Sequence, residues 1–144
     1  GDGPAADEIK LALAPWQDKI RFVGAGTPED LPPFYAAADL YLWPAVDEAF
    51  GMAFLEAQAA GCPVVAGNER GVPDVVQDGV TALLSPPRNH KALAIMTRQL
   101  LGDPQLRATM SRQAATFVAH DRSLAGAARH LRDLLTPLCS AHPA

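Results

Sequence analysis

Apolar and polar positions follow two rhythms along this chain, one close to alternation and one close to a helical period, with Gly and Pro at the changeovers. A helical stretch beginning near Ala5 closes with Leu11 and Leu13, and Pro15 ends it. Ile20-Arg21-Phe22-Val23 reads as a strand stopped by Gly24 and Gly26. Thr27-Pro28-Glu29-Asp30 is a turn or a helix start, with Thr27 available as cap. Residues 31–38 predict a short helix and residues 39–43 a strand ended by Pro44. After a loop at 45–49, a helix is expected from about Phe50 to Ala60, with Gly61 closing it. Pro63-Val64-Val65-Ala66 is wholly apolar, as suits a strand covered on both faces. A loop at 67–71, a short helix at 72–77 and the Asp78-Gly79 turn lead to a strand at 81–84.

Beyond Pro86 and Pro87 the pattern turns helical. Asn89 can cap a helix over 90–101, Gly102-Asp103-Pro104 breaks it, and a second helix is expected over about 104–118. A third spans 123–135 and ends before Pro137, with Leu124, Ala127, Ala128, Leu131, Leu134 and Leu135 on one apolar face. Strands and helices joined by short connections imply an α/β fold. It is a Rossmann-like parallel sheet with helices on both faces, followed by a helical tail at about 89–136, all in a single domain over 1–144. Ligands of such sheets bind beyond the carboxyl ends of the strands. The loops at 24–28, 44–51, 66–71 and 85–89 are therefore the ones to carry chemistry.

Composition narrows the function. Hydrophobic residues make up 49 % and charged residues 19 % of the 144, enough for a real core. The net charge of −4 argues against a general nucleic-acid binder. Residues 1–84 carry 13 acids against 4 bases, and residues 85–144 carry 3 acids against 8 bases. The basic half reads as solvated helix faces rather than a partner patch. Two cysteines, Cys62 and Cys139, do not make a disulfide framework, which suits a cytoplasmic setting. No apolar run approaches a membrane span, since residues 45–67 are interrupted by Asp47, Glu48, Glu56 and Pro63. The start Gly1-Asp2-Gly3-Pro4 lacks Met and a signal pattern and reads as the middle of something longer.

One loop stands out: Asp47-Glu48-Ala49-Phe50-Gly51-Met52-Ala53-Phe54-Leu55-Glu56. Glu48 falls in the loop after a strand and Glu56 inside the next helix. The helical neighbours of Glu56 are Met52, Leu55, Ala59 and Ala60, so it projects from an apolar stripe, where an unbonded carboxylate costs several kcal/mol. A sugar diol could supply the missing donors. Gly51, without a Cβ, lets a ligand approach the helix start, whose free N–H groups and dipole favour an anion such as phosphate. Glu48 is then better placed against hydroxyls than against that anion. On spacing alone a surface role for Glu56 outweighs a binding one, because Glu is a good helix former and is usually exposed. The histidines (His90, His120, His130 and His142) show no metal-ligand spacing. The serines show no nucleophile elbow, and Gly24-Ala25-Gly26 is an incomplete dinucleotide fingerprint.

Glu48 and Glu56 stand with seven residues between them; Phe50-Gly51 follows the first, and the second lies in Leu-Glu-Ala-x-Ala-x-Gly-x-Pro-Val-Val-Ala from Leu55 to Ala66. Around them in order stand Gly1-Asp2-Gly3-Pro4, Phe22-Val23-Gly24, Tyr35 to Asp39, Trp43-Pro44, Gly71-Val72-Pro73-Asp74, Asp78-Gly79, and Leu83-Leu84 before Pro86. Together these segments resemble the donor-binding core of glycosyltransferase family 4, the retaining GT-B enzymes, over roughly residues 1–120. The resemblance implies the C-terminal half of a GT-B fold, in which a sugar moves from a nucleoside diphosphate sugar to an acceptor hydroxyl. It implies that Glu56 accepts hydrogen bonds from the ribose. It implies that Glu48 contacts the transferred sugar beside the reacting centre, as the catalytic residue. Backbone N–H groups of Phe50, Gly51 and Met52 would hold sugar and diphosphate, and Ala25, Gly26 and Thr27 would lie near the nucleobase. No metal and no cofactor is implied beyond the nucleotide sugar itself.

The departures are Arg70-Gly71-Val72-Pro73-Asp74 where Gly-Gly and a later Glu are common, Ala82 where Gly is common, and Gln58 where Met is common. Asp74 reads equally as a helix-start carboxylate. The family's Arg/Lys phosphate clamp and its acceptor domain would lie upstream of Gly1. The chain is thus expected to be inactive alone and to need that N-terminal acceptor domain, which could carry peripheral membrane association. Residues 20–23 and 39–43 would flank a gap in the sheet, and an exposed strand edge invites pairing with a second copy. Two other readings stand beside this one: a GT-B-fold sugar-nucleotide epimerase, and a non-catalytic sugar-nucleotide-binding or interaction module.

Overall fold

The computed structural model describes residues 2–140; Gly1 and His142 fall outside them. The chain divides after Phe34 into two units.

In the first unit, α1 (Ala6–Leu13) ends before Pro15, which enters a 3₁₀ segment, Ala14–Lys19. Residues 20–23 form no strand, contrary to expectation. Their pattern suits a ladder, but none of the described residues pairs with them, and Phe22 and Val23 are left exposed. Thr27 and Asp30 close a turn: the Asp30 carboxylate accepts from the Thr27 N–H at 2.9 Å and from its hydroxyl at 3.0 Å. Those two donors hold the Asp30 carboxyl below its ordinary range. Helix α2 (Leu31–Ala37) begins in this unit, and the division falls inside it. None of residues 2–34 is buried.

The second unit carries the sheet: β1 (Tyr41–Trp43), β2 (Val64–Gly67) and β3 (Ala82–Ser85), all parallel in the order β1-β2-β3. Tyr41 pairs with Val64, and Val64 with Ala82. β1 starts two residues later than expected. Central β2 is buried along its whole length, as its apolar run requires. Its side chains alternate between two cores. Val64 and Ala66, with Ala82 and Leu84, face α3 (Met52–Ala59) and α4 (Val72–Val75) through Phe54, Ala57, Val72 and Val75. Val65 faces the other way, onto Leu93 and Leu100 of α5 (His90–Gly102) and Met110 of α6 (Pro104–Asp121). The expected α/β fold with helices on both faces is thus the architecture found.

The helix ends show why the elements stop where they do. After α3, the Gly61 N–H bonds the Gln58 carbonyl and the Cys62 N–H bonds the Ala57 carbonyl, the paired closure of a Schellman motif. Asn89 caps α5 through Ala92 N–H, and Asp103 caps α6 through Leu106 N–H. Helix α7 (Leu124–Ser140) passes through Pro137 instead of ending before it, so the tail reaches past residue 136. The arginines of the basic half are not all solvated faces. Arg107 donates to Leu100 and Leu101 carbonyls at the end of α5, Arg129 to His120 at the end of α6, and Arg122 to Asp74 in α4. Each meets backbone carbonyls near a helix C-terminus, where the dipole favours a cation.

Candidate functional site

Three loops leave the carboxyl ends of the strands: 44–51 after β1, 68–71 after β2 and 86–89 after β3. The first carries the sequence-predicted residues. Glu48 is half-buried, while Phe50 and Met52 are exposed. Gly51 precedes α3 with φ at +88°. A Cβ on Gly51 would stand 2.3 Å from the Phe54 ring and 3.5 Å from Cγ of Glu48. The glycine is thus required by its own backbone and by Phe54 packing, a demand separate from the ligand approach expected of it. No side chain caps α3 at this end, so its leading N–H groups remain directed at the loop.

Glu56 corrects one expectation. Phe54, Ala57 and Gln58 turn inward, whereas Met52, Glu56 and Ala59 form an exposed stripe. Its carboxylate is therefore not buried among apolar groups. It accepts a hydrogen bond from the Tyr35 hydroxyl at 3.3 Å. Tyr35 packs edge-on against Tyr41, with ring centres 5.6 Å apart. Burial, then Glu56, pushes the Tyr35 hydroxyl above its ordinary range. Burial also pushes Tyr41 up to about 12, with smaller contributions from Tyr35, Glu48 and Glu56. Glu48 thus lies beside Gly51 at the start of α3, and Glu56 in the middle of that helix, against Tyr35. Sequence does not mark Tyr35 as a partner of Glu56, because the bond joins residues 21 positions apart.

The second loop supplies Glu69 and Arg70, and the third Arg88. Asp47 Oδ1 lies 3.8 Å from Arg70 and 3.6 Å from Arg88, and Arg88 lies 3.5 Å from Glu69. Among the described residues, four other than glycine have left-handed backbones: Ala45 and Asp47 at φ +58°, Arg70 at +46° and Arg88 at +56°. All four sit on these loops, and each such conformation costs about 1–3 kcal/mol. The two pairs on Asp47 are exposed and worth at most about 1 kcal/mol each, so they do not offset the strain by themselves, while Arg88 meets a Glu69 side chain that is mostly covered.

Of the remaining candidates, Gln58 is fully buried and donates to Phe54 and Val75 carbonyls at 3.0 and 2.8 Å, tying α3 to α4. Asp74 lies in the first turn of α4, as its helix-start reading has it. In the first unit, Ala25 and Gly26 line an open pocket with Val23, Asp30 and Phe34, and Thr27 is engaged with Asp30.

The model of the family described as glycosyl transferases group 1 matches residues 1–117. A D-inositol 3-phosphate glycosyltransferase of Corynebacterium kroppenstedtii is 37 % identical over 115 residues, covering 80 % of this chain and 25 % of that protein. The sucrose-phosphate synthase of Thermosynechococcus elongatus superposes with a TM-score of 0.81 at 29 % identity, covering 99 % of this chain and 36 % of that one. HepE of Anabaena, solved with UDP, gives 0.79 at 25 % identity over 91 % of this chain and 36 % of its own. It has also been solved with UDP-glucose. The chain spans about a quarter of the length of the curated relatives it matches. Its layered sheet resembles the GT-B glycosyltransferase domains of those structures. By sequence and by fold, this chain belongs to the glycosyl transferases group 1 family.

Proposed function

We propose that the chain is the donor-binding part of a retaining, family 4-type glycosyltransferase, moving a hexose from a nucleoside diphosphate sugar to an acceptor hydroxyl. The observation that supports this most is Glu48 beside Gly51 at the uncapped start of α3, beyond the carboxyl end of β1, with Glu56 further along the same helix and bonded to the Tyr35 hydroxyl. Acids that accept from hydroxyls then stand beside N–H groups that attract phosphate. Glu56, steadied by Tyr35, accepts from the ribose. Glu48 meets the transferred sugar, and the N–H groups of Phe50, Gly51 and Met52 meet the diphosphate side. Ala25, Gly26 and Thr27 belong to the nucleobase end.

The chemistry asked of these groups is electrostatic. The departing diphosphate gathers negative charge near the helix start, and the sugar centre gathers positive charge near Glu48. No resident metal or cofactor enters this scheme. Turnover needs an acceptor-binding domain, and a cytoplasmic enzyme drawing on the nucleotide-sugar pool suits the reading. Nucleotide-bound HepE, a relative by fold, favours a uridine donor.

Titration calorimetry with UDP-glucose, GDP-glucose and ADP-glucose tests the reading. We expect one base to be preferred and Glu56→Ala to weaken that donor at least tenfold, about 1.4 kcal/mol. Equal affinity in parent and variant would remove Glu56 from the site.

A further inference from the structure

We infer that Asp47, Glu69, Arg70 and Arg88 form a latch across the three strand-end loops, and that its task is to position Glu48. The inference rests on the donor-site reading above for the role of Glu48, and on separate observations for the latch. Asp47 is the hub, and it immediately precedes Glu48 in the chain. It meets an arginine from each of the other two loops, and Arg88 reaches on to the half-buried Glu69. Three of the four members hold left-handed backbones.

The loops are also pressed together at the backbone. A Cβ on Gly67 would meet the Pro44 carbonyl oxygen at 2.3 Å, and one on Gly71 would meet that of Ala49 at the same distance. Residues 44–49 are therefore braced at one end by Gly67, the last residue of β2, and at the other by Gly71 in the loop after it, with Asp47 pinned between them by its two arginines. Exposed ion pairs contribute little to stability, yet these arise where the backbone is least at ease. Such strain persists only when the surroundings fix the conformation. The backbone contacts at Gly67 and Gly71, joined by a charge network linking three loops, do that for the one residue between Asp47 and Ala49, which is Glu48. None of the four latch residues is assigned a contact with the nucleotide sugar; they are positioning residues.

The test uses Asp47→Asn, Arg88→Gln and the double variant, with thermal melts to establish that each folds. Amide hydrogen exchange over residues 45–51 is followed without nucleotide, and affinities for UDP and UDP-glucose are measured by calorimetry. We expect exchange to rise about tenfold in each single variant and, in the double, by clearly less than the product of the two, since both changes remove the shared Asp47–Arg88 pair. UDP-glucose should weaken about fivefold while UDP stays within about twofold, because Glu48 meets the sugar and not the nucleotide. Unchanged exchange in both single variants would overturn the latch. Equal weakening of UDP and UDP-glucose would overturn positioning in favour of direct arginine–phosphate contact. A parent protein that binds neither nucleotide would remove the donor site and the role of Glu48 with it. That failure is distinct from the loss of the latch alone, in which the parent binds both and exchange does not move.

Discussion

Tyr41 is partly buried among the Tyr35, Trp43 and Phe54 rings, and that burial first, then the nearby Tyr35, Glu48 and Glu56, disfavours its ionised form. Its hydroxyl is raised from the ordinary 10.0 to about 12, and burial raises the Cys62 thiol from 9.0 to about 11. In both cases the folded state keeps its proton to higher pH than the unfolded state. The stability tied to these protons is complete below about pH 9 for Cys62 and pH 10 for Tyr41, and is lost as pH rises toward 11 and 12. Urea midpoints should therefore stay level up to about pH 9 and fall above it, and Tyr41→Phe should flatten the part of the fall above pH 10. A midpoint that holds steady to pH 11 in the parent would show that neither group is protected. At this scale the sequence was informative where chemistry is local: Glu48, Gly51 and Glu56 lie on one loop and one helix and were named from their order. Tyr35 and the Asp47–Arg88 pair were not, because a hydrogen bond across 21 residues and an ion pair between separate loops depend on how strands register.

Helices follow local rules most closely, and α5 and α6 show it. Their apolar periodicity, the Asn89 cap and the Gly102-Asp103-Pro104 break all reappear where the pattern puts them. Asp103 does double duty, ending α5 and accepting the Leu106 N–H at 2.9 Å to open α6. Nearby, Arg107 on α6 reaches back to the last carbonyls of α5 and lies 3.5 Å from Asp39. The joint between the two helices is thus fastened from both sides, and it supports the Leu100–Met110 core under β2. Asp103→Ala should cost about 1 kcal/mol, the usual worth of an N-cap, read as a lower urea midpoint with an unchanged slope. Asp103→Asn should recover most of it, since the amide oxygen can still accept; a variant as stable as the parent would show the cap to be idle. Strands obey a different logic, and residues 20–23 illustrate it. Their alternation satisfies every local rule for a strand, yet a strand exists only as a ladder, and the partner is not decided by the segment itself. Pro137 errs in the opposite direction: a rule that disfavours Pro inside a helix did not stop α7, which runs on through it.

Burial is distributed unevenly over the whole molecule, and stability should follow it. Every buried residue lies from Ala45 onward among those described, and the two cores meet at β2. Residues 2–34 have helical turns and a fastened Thr27–Asp30 corner, but none of their large apolar side chains is buried, and Leu11, Trp16, Phe22 and Val23 are about half exposed or more. A segment of about thirty residues without a buried core, disulfide or metal cannot offset the conformational entropy of ordering it. Its opening free energy should therefore be far smaller than that of the second unit. Amide exchange should be near the unprotected rate over residues 2–34. It should be slowest at Val64, Val65, Leu93 and Leu100, with at least about a hundredfold between the two groups. Comparable protection in both units would mean that the first is stabilised by interactions beyond its own contacts. The overall α/β layering was legible because β2 announces its burial in four consecutive apolar residues and the helices announce theirs by period. The weakness of residues 2–34 was not, because the same apolar content that marks residues 20–23 as a strand leaves Phe22 and Val23 as exposed surface when no ladder forms. If nucleotide binding is read out by the same experiment, protection gained at Ala25, Gly26 and Thr27 on adding UDP-glucose would tie the base end of the proposed donor site to this weak unit. Protection gained only around residues 48–52 would confine the site to the strongly folded one.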